Sequence, residues 1–248
     1  MANFEFKRLD TLDNLELFSS ENENDYFPFH FHDYYCVSLI TNGTELLRNT
    51  QQEFVAPSGT ISITQANEVH RNYSLSETGY SYKTLYVNPD VLTYFNHGHR
   101  VAALDRVIDD PRLFQQLLEI FRGGSTRSLA GLVSHATLPY EASTIERNFG
   151  LIDEMIESRP AQVIDNAWLA KQFHISPFHF IRLFKKARGI TPQAYIMLFR
   201  LRQTKELLLK DMPIAHIAYQ FGFHDPSHFT HQFRKYFGVT PSQFKLAK

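Results

Sequence analysis

Residues 176–195 read Ser-Pro-Phe-His-Phe-Ile-Arg-Leu-Phe-Lys-Lys-Ala-Arg-Gly-Ile-Thr-Pro-Gln-Ala-Tyr, and residues 225–244 read Asp-Pro-Ser-His-Phe-Thr-His-Gln-Phe-Arg-Lys-Tyr-Phe-Gly-Val-Thr-Pro-Ser-Gln-Phe. Eight of the twenty positions are identical at an offset of 49 residues, where ordinary residue usage gives roughly one match by chance. The likeness extends upstream, from Leu169-Ala-Lys-Gln-Phe173 to Ile217-Ala-Tyr-Gln-Phe221. One structural unit is therefore duplicated.

Each copy reads as two helices joined by a short turn. Ser176-Pro177 and Asp225-Pro226 each place an N-cap oxygen before a proline at the first helical position, where the missing N–H costs nothing. Phe180, Leu183 and Phe184, and in the second copy Phe229, Phe233 and Phe237, recur at spacings of three and four, which predicts one apolar stripe per helix. The opposite face carries Arg182, Lys185 and Lys186, or His231, Arg234 and Lys235. Gly189 and Gly238 suit the left-handed position that ends a helix, and Thr191-Pro192 and Thr240-Pro241 restart one. Pro192 to Lys210 has helical period with no internal breaker, so a single long helix should join the two units.

Charge follows the same division. Residues 1–144 hold 10 basic and 18 acidic side chains, net −8, whereas residues 145–248 hold 15 and 8, net +7. From Asn166 onward the balance is 13 basic against 3 acidic, net +10, a field that suits a polyanion. Two turn-linked helix pairs, each with a basic free face on its second helix, supply what a major groove requires, since the groove is about as wide as one helix. Neither second helix carries an acidic residue beyond its cap.

The N-terminal half has another rhythm. Phe29 to Ile40, Thr44 to Arg48, Glu53 to Val55, Gly59 to Thr64 and Tyr80 to Val87 are rich in β-branched and aromatic residues and are separated by Asn42-Gly43, Pro57-Ser58-Gly59 and Thr78-Gly79. That pattern predicts an antiparallel sandwich or barrel. Pro111 to Phe121 turns helical, with Leu113, Phe114, Leu117, Leu118 and Phe121 on one face, an apolar surface that suggests a dimer helix or a cover for the barrel. Pro139 to Ser143 and Arg159-Pro160 bracket a connecting helix. Phe29-His30-Phe31-His32-Asp33-Tyr34-Tyr35-Cys36 would, as one strand, set His30, His32, Tyr34 and Cys36 on a single face, with His70 after a further strand pair. These five residues could line a ligand pocket, His30, His32 and His70 could form a metal constellation, or the set could be structural.

Several classes drop out. No apolar run approaches the ~18 residues of a membrane span, and the N-terminus lacks the regions of a signal peptide, so a cytoplasmic protein is expected. Cys36 is the one cysteine, so neither an intrachain disulfide nor a thiolate-based zinc site is expected from this chain.

Residues 166–248 resemble the DNA-binding domain of the AraC family of bacterial transcription regulators. The likeness rests on Leu169-Ala170, Ser176, Phe184-Lys185, Gly189, Thr191-Pro192, Arg200-Leu201, Ile217-Ala218, Gly222-Phe223, Asp225, Phe233-Arg234-Lys235, Gly238 and Thr240-Pro241-Ser242. Departures are small: Thr204 stands where alanine is usual, His228 where an aromatic is common, and Phe244-Lys245 where the family often ends Tyr-Arg. The resemblance implies that Phe178, Ile181 and Arg182 of the first reading helix, and Ser227, Thr230 and His231 of the second, face base edges, with Lys185, Lys186, Arg234 and Lys235 on the same basic faces. For Phe178 and Ile181 the alternative is burial against Trp168. The N-terminal segment resembles a cupin barrel through its His-x-His and late histidine, although Cys36 stands near where the cupin glutamate would fall.

The expected protein is thus α+β: a cupin-like antiparallel β-barrel for effector binding and dimerisation at 1–144, a linker helix at 145–165, and an all-α domain with two helix-turn-helix units at 166–248. Its expected partners are double-stranded DNA, a small-molecule effector, a second copy of itself and, by resemblance, RNA polymerase, with no membrane, no cofactor, no assigned metal and no enzymatic activity. The competing reading is a metal-dependent cupin enzyme fused to a DNA-binding domain.

Overall fold

The computed structural model describes residues 3–12, 14–24, 27–137 and 150–246. The chain divides into two compact units, the first made largely of residues 31–140 and those before 28, the second of Glu141–Leu246 together with Pro28–His30. The first is built from β1 (Asn3–Leu9), β2 (Leu15–Glu23), β3 (Tyr35–Asn42), β4 (Thr44–Asn49), β5 (Glu53–Pro57), β6 (Ile61–Thr64), β7 (His70–Ser74) and β8 (Tyr80–Val87). It continues with α1 (Pro89–Phe95), the short strands β9 (Ala103–Leu104) and β10 (Val107–Ile108), α2 (Pro111–Ile120), a 3-10 segment (Thr126–His135) and β11 (Ala136–Thr137). A six-stranded sheet runs β1-β2-β8-β3-β6-β10, a three-stranded sheet runs β5-β4-β7, and β11 pairs with β9. Every pairing is antiparallel. Among the described residues no ladder joins the two larger sheets, so the cupin-like barrel is open.

The two faces of the large sheet differ in chemistry. Val37 and Leu39, Ile61 and Ile63, and Leu85 and Val87 share one face, as the pairings Val37↔Ile63, Val37↔Leu85 and Leu39↔Ile61 require. This face meets Val91 and Leu92 of α1, Leu113, Phe114 and Leu117 of α2, and Leu129 and Leu132 of the 3-10 segment in one buried apolar core. Leu118 and Phe121 lean on the same core. The apolar face of α2 therefore packs on its own chain, the covering role that the sequence offered beside a dimer helix, with Leu118 and Phe121 only partly buried. The other face holds Cys36, Ser38, Ser62, Thr64 and Thr84, all buried. Ser38 and Thr84 hydroxyls sit 2.7 Å apart on this face.

The second unit contains α3 (Gly150–Ser158), α4 (Asn166–Gln172), α5 (Pro177–Arg188), α6 (Pro192–Leu209), α7 (Ile214–Gln220), α8 (Pro226–Phe237) and α9 (Pro241–Leu246). The long helix read between the two copies is α6. Of the predicted connecting helix, residues 139–143 and 145–149 lie outside the described residues. Its visible part, α3, buries Ile152 and Ile156 and joins α6 through the Tyr195 hydroxyl, which donates to Asp153 at 2.6 Å. Burial and this contact raise the Tyr195 pKa well above the ordinary phenol value. No helix among the described residues is long and apolar enough to cross a membrane.

Candidate nucleic-acid interface and effector site

Both reading helices start and stop as their end residues dictate. The Ser176 hydroxyl accepts the His179 N–H at 3.3 Å and the Asp225 carboxylate accepts the His228 N–H at 2.7 Å, each satisfying one orphan donor. The His228 N–H, helped by His224, holds the Asp225 carboxyl below its usual pKa. Gly189 and Gly238 both sit at φ 75°, in the left-handed region that closes a helix at little cost only for glycine.

Aromatic rings fix which face points outward. Phe180 stands 5.3 Å from Phe173 and 5.7 Å from Phe184, and Phe184 stands 5.4 Å from Tyr195. In the second unit Phe229 lies 4.9 Å from Phe223 and 5.6 Å from Phe233, which in turn meets Phe244 at 5.6 Å. Leu183, read as part of the stripe, is only half-buried.

With that stripe inward, Arg182, Lys185 and Lys186 on α5, and Ser227, His231, Arg234 and Lys235 on α8, are exposed. Ile181 and Thr230 are half-buried. Phe178 is 78% exposed, so it is not buried against Trp168, which is itself 39% exposed. The Thr230 hydroxyl donates to the Pro226 carbonyl at 2.8 Å, leaving it an acceptor toward solvent. Not every cation in this unit is available to a ligand: Lys205 is buried with its ammonium 4.9 Å from the Phe244 ring centroid, and Lys245 pairs with Asp211 at 2.7 Å.

The single strand predicted from Phe29 to Ile40 is corrected. The strand begins only at Tyr35; His30 makes an isolated bridge and residues 31–34 are irregular. Ladder partners are replaced here by local ones: the His32 carbonyl accepts the Asn67 N–H at 2.6 Å, and the Tyr34 carbonyl accepts the His32 Nδ1–H at 2.9 Å. The candidate residues other than His30 nevertheless gather. Within the first unit the His32 and His70 rings meet edge to face at 4.8 Å, whereas His30 belongs to the second unit. Cys36 Sγ is 3.1 Å from His32 Nε2, and Tyr34 stacks on His32 at 5.8 Å. Burial pushes the His30 pKa down.

Sequence reasoning missed a polar cluster further along the interior. Glu45 is buried on β4 and accepts from Asn72 Nδ2 at 2.8 Å and from the Tyr80 hydroxyl at 3.3 Å, with Ser62 of the large sheet a third partner. Its second oxygen, Oε2, is buried with no hydrogen-bond partner. Burial raises the Glu45 pKa and lifts those of Tyr80, Tyr82 and Tyr86 well above the phenol value. Glu23, also buried, accepts from Ser20 at 2.9 Å. The available signal was parity: Glu45 lies two residues from the fully buried Leu47 and so shares its face.

A duplicated helix-turn-helix beside an antiparallel sheet unit with a polar interior defines a DNA-binding regulator with a ligand-binding domain. Comparison with known proteins agrees: residues 14–139 match the AraC-like ligand binding domain and residues 169–247 match a helix-turn-helix domain. The protein belongs to the AraC family of transcription regulators, which are not enzymes. Among curated relatives, the uncharacterized HTH-type transcriptional regulator YbfI of Bacillus subtilis is 26% identical over 82% of this chain and 81% of its own length. The HTH-type transcriptional activator RhaS of Salmonella paratyphi A is 24% identical over 90% and 88%. The crystal structure of ToxT from Vibrio cholerae superposes with a TM-score of 0.58 at 16% identity, covering 98% of this chain and 96% of ToxT. Its unsaturated fatty acid-bound form gives 0.57 at 15% identity, covering both chains in full.

Proposed function

We propose that the protein lays α5 and α8 into successive major grooves of one DNA duplex, with Arg182 the principal base reader and Phe178, Ile181, Ser227, Thr230 and His231 completing the readout. Lys185, Lys186, Arg234 and Lys235 anchor the phosphates. The observation that carries this reading is the outward, acid-free, basic face that both duplicated helices present once their aromatic stripes are buried. The experiment is enrichment of duplexes from a randomised pool by the full-length protein. The expected result is one motif with two blocks about 10 base pairs apart; recovery of no motif overturns the reading.

The same proposal places a small-molecule effector in the polar interior of the first unit, near His32, Tyr34, Cys36 and His70 at one end and Glu45 at the other. The buried Glu45 carboxyl and the hydroxyls around it favour a small ligand with hydrogen-bond donors, unlike the fatty acid held by ToxT. A metabolite bound only by the native state raises its melting temperature by mass action, so a thermal-shift screen identifies it. In this reading the protein works in the cytoplasm, engages RNA polymerase and has no catalytic role.

A further inference from the structure

Phe178 differs from the other aromatic residues of α5 in where its ring points. The Ser176 cap and Pro177 at the first helical position fix it in the first turn, and 78% of its surface faces solvent. With 3.6 residues per turn it lies about 160° round the helix from Phe180, which is fully buried in the aromatic stripe. Phe178, Arg182 and Lys185 follow one another at spacings of four and three, so they form a single line along the exposed face of α5. Ser227, His231 and Arg234 form the equivalent line on α8. A lone exposed apolar residue needs no explanation. Phe178, however, heads a basic line on a helix with no acidic residue, the surface best matched to a polyanion.

The order along that line follows the depth of a major groove. A recognition helix meets base edges through its N-terminal residues, so Phe178 and Arg182 reach deeper than Lys185, whose ammonium suits a phosphate. A phenyl ring has no hydrogen-bonding atom, and pressed on base-edge donors and acceptors it would desolvate them without compensation. The apolar group that the floor of the major groove exposes is the 5-methyl of thymine. Packing that methyl against the ring takes apolar surface out of water at no cost in hydrogen bonds. A helical turn advances ~5.4 Å and base pairs rise ~3.4 Å, so the thymine lies about one or two base pairs from the guanine paired with Arg182. Ser227, at the equivalent position of α8, offers a hydroxyl in place of a ring.

We propose that Phe178 reads a thymine 5-methyl group, so that the DNA block bound by α5 is selected by a methyl contact as well as by a guanine. The inference rests on the proposed insertion of α5 and α8 into major grooves and names the chemical group that sets one base position within it. Phe178 is then a specificity determinant and not an anchor. An uncharged ring releases no counterions, so its loss leaves the salt dependence of binding unchanged.

The test uses the full-length protein and the duplex it selects from a randomised pool. Each thymine of the motif is replaced in turn by deoxyuridine, which deletes the methyl and keeps the hydrogen-bonding pattern. One replacement, in the block whose base preference Arg182→Ala relaxes, should weaken binding roughly fourfold, the worth of one buried methyl. Phe178→Ala should bind the thymine and uracil duplexes equally, with the wild-type slope of log affinity against log salt, and Phe178→Leu should keep part of the difference. At the same position the wild type should prefer 5-methylcytosine to cytosine, and Phe178→Ala should not. Ser227→Ala should leave the uracil effect intact. Because Phe178 is exposed, these variants leave the aromatic core in place. A motif with no thymine in that block, a uracil substitution there that costs nothing, or a uracil effect that survives Phe178→Ala overturns the proposal while the major-groove reading stands. Recovery of no motif overturns that reading and this inference with it.

Discussion

Arg182 and Lys185 sit on the same exposed face of α5 but are suited to different tasks. A guanidinium can bond bidentately to guanine, whereas an ammonium acts as a point charge on phosphate. Arg182→Ala is therefore expected to cost about 1–3 kcal/mol on the selected duplex and to relax preference at one base position, with non-specific binding nearly intact. Lys185→Ala should weaken all duplexes about equally. Binding of each variant to the selected duplex and its single-base variants checks both, and equal losses on every sequence for Arg182→Ala would make it an anchor. At Glu45 the sign of the pH effect follows from burial. Its folded pKa is raised, so the native state holds the proton more tightly than the unfolded chain, and stability is lost as pH rises from the ordinary value of 4.5 through the folded one. Glu45→Gln keeps a neutral side chain throughout, so its melts should lose less stability over that interval, by at most about 1.4 kcal/mol per pH unit. Parallel pH profiles of the two proteins would contradict the assignment.

Helix ends were the most legible elements, because each depends on a few adjacent residues. Ser176, Asp225, Gly189 and Gly238 take the cap positions their chemistry suggests. Ser176→Ala should cost about 1 kcal/mol through the lost cap, and Gly238→Ala a similar amount through left-handed strain. Chemical denaturation followed by far-UV circular dichroism measures both. Strands were less legible, and for a physical reason. Tyr80–Val87 was read with its observed bounds, since one of its faces meets the apolar core. In contrast β7, His-Arg-Asn-Tyr-Ser, was missed because the interior it faces is polar: Asn72 bonds Glu45 and His70 meets His32. A search for apolar alternation passes over such a strand. The reading of Phe29–Cys36 erred the other way, since alternation was present but the backbone of residues 31–34 bonds to Asn67 and to a side chain of its own segment. The placement of His32 and Tyr34 thus depends on a loop that periodicity cannot describe.

At the scale of the whole molecule, charge separates the tasks. The −8 of residues 1–144 gives DNA no reason to bind there, and the +10 from Asn166 onward concentrates attraction on the reading unit. Lys205 over aromatic rings and Lys245 in an ion pair are already engaged, so fewer phosphate contacts form than the count of 13 cations suggests. Each contact that does form releases counterions and contributes about −0.9 to the slope of log affinity against log salt. The most direct measurement is a salt titration of the full-length protein on its selected duplex, repeated with Lys185→Ala and Arg182→Ala. The account predicts a steep linear fall for the wild type, a slope shallower by roughly one for Lys185→Ala, and an almost unchanged slope with flattened base preference for Arg182→Ala. Affinity that does not respond to salt, or a wild-type base preference that survives Arg182→Ala, would contradict it.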